Sequence, residues 1–194
     1  ENATLPVINT NRASIASVSV GSDKNDVFNE TLKLYTDVAT FSMSKNTDYA
    51  DFELLKLKLA DYNTIIISIQ GTSNRGSANY GITEQTIRFI HSLNPDGKII
   101  LCIFGNPFSL QLFNDLQNID AIMVAYEDDD EFKYVAAQNI FGAYPANGIL
   151  PVSVTTGFPS GISVLTPDLH TLSYGFPEEV LMSSEILNTI DSIA

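Results

Sequence analysis

Five short apolar runs, several of them continuously so, constrain this chain more than any other feature: IASVSV from Ile15, VATFSM from Val38, TIIISI from Thr64, KIILCIF from Lys98 and AIMVAY from Ala121. Each has the length of a strand. A strand with one wet face alternates apolar and polar residues, whereas a run apolar at both parities has both faces covered. Helical spacing fills the intervals. Asp26 to Tyr35 aligns Phe28, Leu32 and Tyr35, and Tyr49 to Asp61 aligns Phe52, Leu55 and Leu59. The phrase LLKLKLA in the second stretch also alternates as a strand would. Parallel neighbours need a crossover at that point, so a helix is expected. A third helix should open at Thr83 and carry Ile87, Ile90 and Leu93, with His91 near its end. Repeated strand–helix units of this size make a three-layer α/β/α sandwich around a largely parallel sheet of five or six strands.

The last two units carry readable end signals. After KIILCIF, Asn106 can cap and Pro107 can open a helix with Leu110, Phe113 and Leu116 on one face. After AIMVAY, the acidic residues from Glu127 to Glu131 suit a solvated helix start. Phe132, Val135, Ala136 and Ile140 form the stripe of that helix, Gly142 its C-terminal cap, and GILPVSV runs back into the fold. Ile66, Ile67, Cys102, Ile103, Met123 and Val124 are expected in the core. Residues 1–156 form one domain on this reading. In 157–194, the stretch to Pro177 is rich in Gly, Pro, Ser and Thr and reads as a linker or edge wrap. PEEVLMSSEILNTIDSIA then predicts an amphipathic helix with Ile186, Leu187, Ile190 and Ile193 on one side.

At 194 residues, with 44% hydrophobic and 17% charged content, the chain can bury a substantial core. Its net charge of −13 disfavours nucleic acid and anionic membranes as partners. No apolar run is long enough for membrane insertion. The single cysteine, Cys102, lies inside an apolar strand and reads as a core filler. The chain opens at Glu1 without methionine, so it was processed or belongs to something larger, and the missing leader assigns no compartment.

Parallel sheets collect ligand chemistry at the C-terminal ends of their strands. The longest interval follows the third strand, and its surplus lies in QGTSNRGSANYGI, Gln70 to Ile82. Gln70, Ser73, Asn74, Arg75 and Tyr80 are therefore the candidates for residues near a substrate. Sharper motifs fail there. GTSNRGS has the glycine spacing of a phosphate loop but Ser77 in place of its lysine. The Gly-x-Ser at Gly71 lacks the second glycine of a nucleophile elbow, and neither histidine has a placed acidic partner. GSDKND has one glycine where a dinucleotide fold wants three, and Gln70 stands where a phosphorelay receiver has aspartate. Glu127 to Asp130 lacks the spaced ligands and the glycine of a calcium loop. The reading assigns no catalytic residue, no cofactor and no metal to this chain.

One phrase order points to a family. The Gly-Asn-Pro turn at Gly105, the stretch AAQNIFGAYPANG and the closing GILPVSV together resemble the C-terminal domain of glycoside hydrolase family 3. The likeness runs from about Leu5 to about Thr156. It implies a sandwich that follows a barrel domain, acts on carbohydrate and needs no cofactor. Retaining glycosidases commonly pair two carboxyl groups about 5–5.5 Å apart. In the β-glucosidase branch of the family, the acid/base glutamate comes from the loop after this third strand. From Gln70 to Thr83 this chain has no Asp or Glu, and Glu84 falls in the first turn of the next helix. The β-N-acetylglucosaminidase branch takes its proton donor from a His/Asp pair on the barrel, and the sequence fits that branch. The terminal helix resembles the opening of a β-lactamase-like serine hydrolase domain, which the resemblance makes a second partner. The expectation is a non-catalytic second domain whose parent hydrolyses terminal β-linked N-acetylglucosamine and is exported or periplasmic. Two alternatives stand beside it: a β-glucosidase-type domain with Glu84 as acid/base, and a stand-alone α/β module for a small ligand.

Overall fold

The computed structural model describes residues 4–8, 10–93, 96–113, 116–187 and 189. Five strands start at the five expected positions: β1 Ile15–Val20, β2 Val38–Met43, β3 Thr64–Ile69, β4 Lys98–Ile103 and β5 Ala121–Val124. Every pairing is parallel, in the order β2-β1-β3-β4-β5. The crossovers carry α1 Val27–Lys33, α2 Tyr49–Leu59, α3 Glu84–Ser92 and, after β5, α4 Asp130–Ile140. This is the α/β sandwich read from the apolar runs.

The two faces of the sheet are set by residue parity. Val18, Ile65, Ile67, Ile69, Leu101 and Ile103 pack under Phe52 and Leu59 of α2 and Phe89 and Ile90 of α3. Ile66, Ile100, Cys102 and Phe104 pack under Phe28 and Leu32 of α1 and Ala136, Ala137 and Ile140 of α4. Aromatic pairs reinforce both sides: Phe52–Phe89, 5.3 Å between ring centroids, joins α2 to α3 within one layer, and Phe28–Phe104, also 5.3 Å, joins α1 to the end of β4. Each large side chain so enclosed contributes about 1.5–3 kcal/mol. Short polar residues start the helices. Asp26 accepts from the amide of Asn29, Asp48 from that of Asp51, and Thr83 from that of Thr86.

Four expectations need correction. Met123 and Val124 are half-buried, not core, because β5 is an outermost strand of four residues with a neighbour on one side only. The segment after β4 is a 3₁₀ helix, Pro107–Leu112, rather than an α-helix. Asn106 does cap it and Pro107 does open it, but Phe113 has left helical geometry. On α4 the buried face is Ala136, Ala137, Gln138 and Ile140, while Phe132 and Val135 are 43% and 45% exposed. Packing against α1 selects the small residues, because only alanines let the two helix backbones come close. The C-terminal helix is broken: a 3₁₀ turn, Pro177–Val180, ends at Leu181 in the left-handed region, and α5 is the short Ser184–Leu187. Ile186 is exposed, and Ile190 and Ile193 lie outside the described residues.

GILPVSV does not add a strand to the sheet. It opens an irregular antiparallel excursion in which Leu150 and Ile162 share a hydrogen bond of 3.0 Å and Val154 bonds the carbonyl of Phe158 at 2.9 Å. The chain then returns across α1 and α4. Tyr174 donates its amide to Gln138 Oε1 at 2.8 Å and its hydroxyl to the carbonyl of Leu34 at 2.9 Å. Its ring meets Tyr35 edge-on, and Tyr35 stacks on Phe141. Burial is the main cause of raising the Tyr35 phenol to about 12.

Candidate functional site at the carboxyl ends of the strands

In the order β2-β1-β3 the chain steps to one side of β1 and then to the other, so β1 and β3 flank the switch point where open parallel sheets take ligands. The crevice here is filled by the protein's own residues. On the α1 side, Asp26 Oδ2 accepts from the Ser19 hydroxyl at 2.5 Å and from Gln70 Nε2 at 2.6 Å. Gln70 Nε2 also reaches Ser68 Oγ at 3.0 Å, and Asn29 Nδ2 reaches Ser19 Oγ at 2.8 Å. Ser19, Asn29, Ser68 and Gln70 are all buried. Buried polar groups need partners, and these hydrogen-bond one another across two strands and a helix.

Above this network, Lys45 crosses the crevice from the loop after β2. Its Nζ donates to the carbonyl of Gly71, and its own carbonyl accepts from the Thr83 hydroxyl. Gly21 and Gly71 both have positive φ, +84° and +62°, and both border this lysine. A Cβ on Gly21 would lie 2.5 Å from Lys45 Cε and 2.6 Å from the carbonyl oxygen of Gln70, so only glycine fits there. Burial lowers the Lys45 ammonium below its ordinary value, with Asp128 opposing that shift. Beside it, Gly21, Ser22, Ser42, Ser44, Lys45 and Asn46 line an open depression of about 480 Å³.

The loop after β3 folds as a 3₁₀ turn, Gly76–Gly81, distorted by Asn79 and Tyr80 in left-handed conformations. The five candidates separate by depth. Gln70 is beneath the loop, in the Asp26 network. Tyr80 is turned inward, where its hydroxyl accepts from Gln111 Nε2 at 3.2 Å. Ser73 donates its amide to the Tyr80 carbonyl at 2.9 Å, closing the turn. Asn74 and Arg75 are exposed at its tip. Two of the five thus face solvent, and the others build the loop.

The acidic run after β5 is solvated as expected except at Asp128, since Glu127, Asp129, Asp130 and Glu131 are exposed. Asp128 Oδ2 accepts the Thr72 amide at 3.1 Å, and Oδ1 lies 3.0 Å from Lys133 Nζ, with both side chains largely covered. Thr72 also donates its hydroxyl to the Phe104 carbonyl at 2.5 Å. Asp128 is therefore a tie between loops. Glu84 begins α3 behind its Thr83 cap, largely exposed, and pairs with Arg88 at 2.5 Å. His170 does have an acidic neighbour, Asp168 at 3.3 Å, but its side chain is 88% exposed on the tail. Burial pushes the Cys102 thiol up to about 12, which leaves it a core residue with no thiolate at neutral pH. Among the described residues no group of three His, Cys, Asp or Glu side chains could hold a metal ion. Among them, too, no helix is long and apolar enough to cross a membrane.

Sequence reasoning missed Lys45, Asp26 and Asp128. A lysine just after a parallel strand is a usable signal for the first. The other two sat in runs of polar residues that gave no hint of which carboxylate turns inward.

No protein-family model matches the chain, and no curated protein matches it. Solved structures do. One is a glycoside hydrolase family 3 β-N-acetylglucosaminidase from Paenibacillus sp., with a TM-score of 0.60 over 80% of this chain at 16% identity. Another is a family 3 exo-β-xylosidase, solved with a xylobiose aziridine probe, with a TM-score of 0.57 over 82% of this chain at 14% identity. The chain has the fold of a segment of these enzymes. It spans only 29% and 23% of their lengths.

Proposed function

We propose that this chain is the non-catalytic second domain of a glycoside hydrolase family 3 enzyme of the β-N-acetylglucosaminidase kind. The observation that carries the reading is chemical: the loop after β3, from Gln70 to Thr83, has no carboxylate, and Glu84 beyond it is a helix-start residue paired with Arg88. General acid catalysis needs a proton donor within reach of the glycosidic oxygen, and this loop has no Asp, Glu, His, Cys or Lys to offer, while Tyr80 is turned inward. The fold shared with the two family 3 enzymes and the phrases from Gly105 to Val154 support the family. Both catalytic groups then belong to a barrel domain preceding Glu1, and the parent hydrolyses terminal β-linked N-acetylglucosamine. Asn74 and Arg75, at the tip of the loop, are the side chains of this domain that would meet a sugar hydroxyl or an acetamide carbonyl. The terminal stretch from Pro177 would lead into a β-lactamase-like serine hydrolase domain, whose opening helix its sequence resembles.

The test uses aryl β-N-acetylglucosaminide, β-glucoside and β-xyloside with this chain alone and with its full-length parent. The expected result is no turnover by the chain alone, and turnover of the N-acetylglucosaminide by the parent. Turnover by the chain alone that a point substitution within it abolishes would overturn the reading, as would a parent that prefers the xyloside or glucoside.

A further inference from the structure

We propose that Lys45 is the positioning residue of the loop between Gly71 and Thr83, holding both ends of that loop from the neighbouring β2 end. The geometry is a two-ended tie. The ammonium donates to the carbonyl of Gly71, where the loop begins, and the Lys45 carbonyl accepts from the hydroxyl of Thr83, where it finishes. The stem lies in a channel of glycines from three places. A Cβ on Gly21 would strike Lys45 Cε, one on Gly71 would sit 3.2 Å from Nζ, and one on Gly81 3.5 Å from it. Glycine at these places leaves room for the lysine stem, most strictly at Gly21. The opposite side of the loop is fixed independently, through Thr72 to Phe104 and to Asp128. With the base held on both sides, Ser73 and Tyr80 close the turn and present Asn74 and Arg75.

Two features separate this from ordinary surface polarity. A solvated lysine spends little time on one acceptor, but this one is half-buried, and burial lowers its ammonium from the usual value. Its carbonyl partner is backbone, so the contact fixes main chain rather than another mobile side chain. The role rests on the reading that the loop lies beside the parent's sugar site, whereas the tie itself does not.

The experiment has two arms. Amide hydrogen exchange of this chain is compared with that of Lys45→Met at Ser73, Tyr80 and Ile82, whose amides close the turn. Losing one charge-assisted hydrogen bond should speed exchange at these amides by about tenfold or more, with the amides of Ile66 and Leu101 unchanged. Lys45→Cys treated with 2-bromoethylamine regenerates a lysine-like amine and should restore the slow exchange. The unmodified cysteine variant should not. Cys102, fully buried with its thiol at about 12, does not compete for the reagent. In the full-length parent, Lys45→Met should raise KM by about three- to tenfold with kcat within about twofold, since binding is lost and chemistry is not. Unchanged exchange at the loop amides, or no rescue by the aminoethyl group, overturns the tie whatever the kinetics. Faster exchange with unchanged KM leaves the tie standing and overturns the positioning role, together with the placement of this loop at the sugar site.

Discussion

The two faces of this sheet are built differently where they approach the carboxyl ends of β1 and β3. Toward α2 and α3, Val20, Ile67 and Ile69 meet Phe52, Phe89 and Ile82 in a dry layer whose packed cluster is apolar. Toward α1, the corresponding positions are Ser19, Ser68 and Gln70, joined to Asn29 and Asp26 by hydrogen bonds. Both layers are buried. The first supplies stability through area removed from water. The second gains little net energy from its hydrogen bonds, because each replaces one to water, but it fixes geometry: an amide and a carboxylate permit one arrangement, whereas isoleucines permit several. The polar layer lies directly beneath the loops of the candidate site. The dry face holds the domain together, and the polar face sets where its loops sit.

The largest effect is expected at Ile67, in the apolar layer. It is 0% exposed, and an unpaired carboxylate there has nothing to meet it. Ile67→Asp should cost about 3–5 kcal/mol or more out of the roughly 5–15 typical of a domain. Chemical denaturation would show this as lost cooperative unfolding, and a soluble variant melting like the parent chain would refute the dry-layer assignment.

Gln70→Glu sharpens the other half. It sets a second carboxylate where Nε2 now lies 2.6 Å from Asp26. Like charges so close cannot both ionise cheaply, so the loss should be about 1–3 kcal/mol at neutral pH. The sign of its pH dependence follows. Holding one carboxyl protonated raises its folded-state pKa above the unfolded value, so the penalty is absent below the unfolded pKa and grows as pH rises toward the folded one. Denaturation midpoints of the variant and the natural chain should therefore converge near pH 4 and separate above it. Parallel curves across that range would place Gln70 outside the network.

A smaller effect is expected on the tail, which crosses the outer surface of α1 and α4. Tyr174→Phe removes the hydroxyl bond to Leu34 but leaves the ring on Tyr35. The cost should be about 0.5–1.5 kcal/mol, confined to local opening of residues 168–176 and read by limited proteolysis. Equal cleavage of variant and natural chain would mean that the Tyr174 hydroxyl does not hold the tail.

How much of this was legible in advance depended on what decides each feature. Strand positions were, because runs such as TIIISI and KIILCI admit only a covered sheet interior. The α2 helix had to be inferred from connectivity, since Leu54 and Leu57 are apolar yet exposed and blur its periodicity. The face of α4 was misread because size, not hydrophobicity, determines what fits against α1, so Ala137 is buried and Phe132 is not. In the candidate site, length pointed to the loop after β3 but could not rank its residues by depth. Gln70 and Tyr80 look like any polar and aromatic loop residues until long-range partners, Asp26 and Gln111, turn them inward. Lys45 could be noticed by its place just after β2, but its partners Gly71 and Thr83 are distant in sequence and nothing local points to them.

The smallest structural change has the most decisive readout. Glu84 is exposed and pairs with Arg88 one helical turn away, so Glu84→Gln should alter stability by only about 0.2–0.5 kcal/mol. A true acid/base contributes about 10²- to 10⁴-fold to rate. The measurement is the activity of Glu84→Gln in the full-length parent, with and without azide as a substitute nucleophile. Activity within about twofold of the natural enzyme, and no azide effect, is the expected result for a domain that leaves proton donation to the barrel. A loss of about a hundredfold or more, restored by azide, would put the acid/base on this domain and contradict the account.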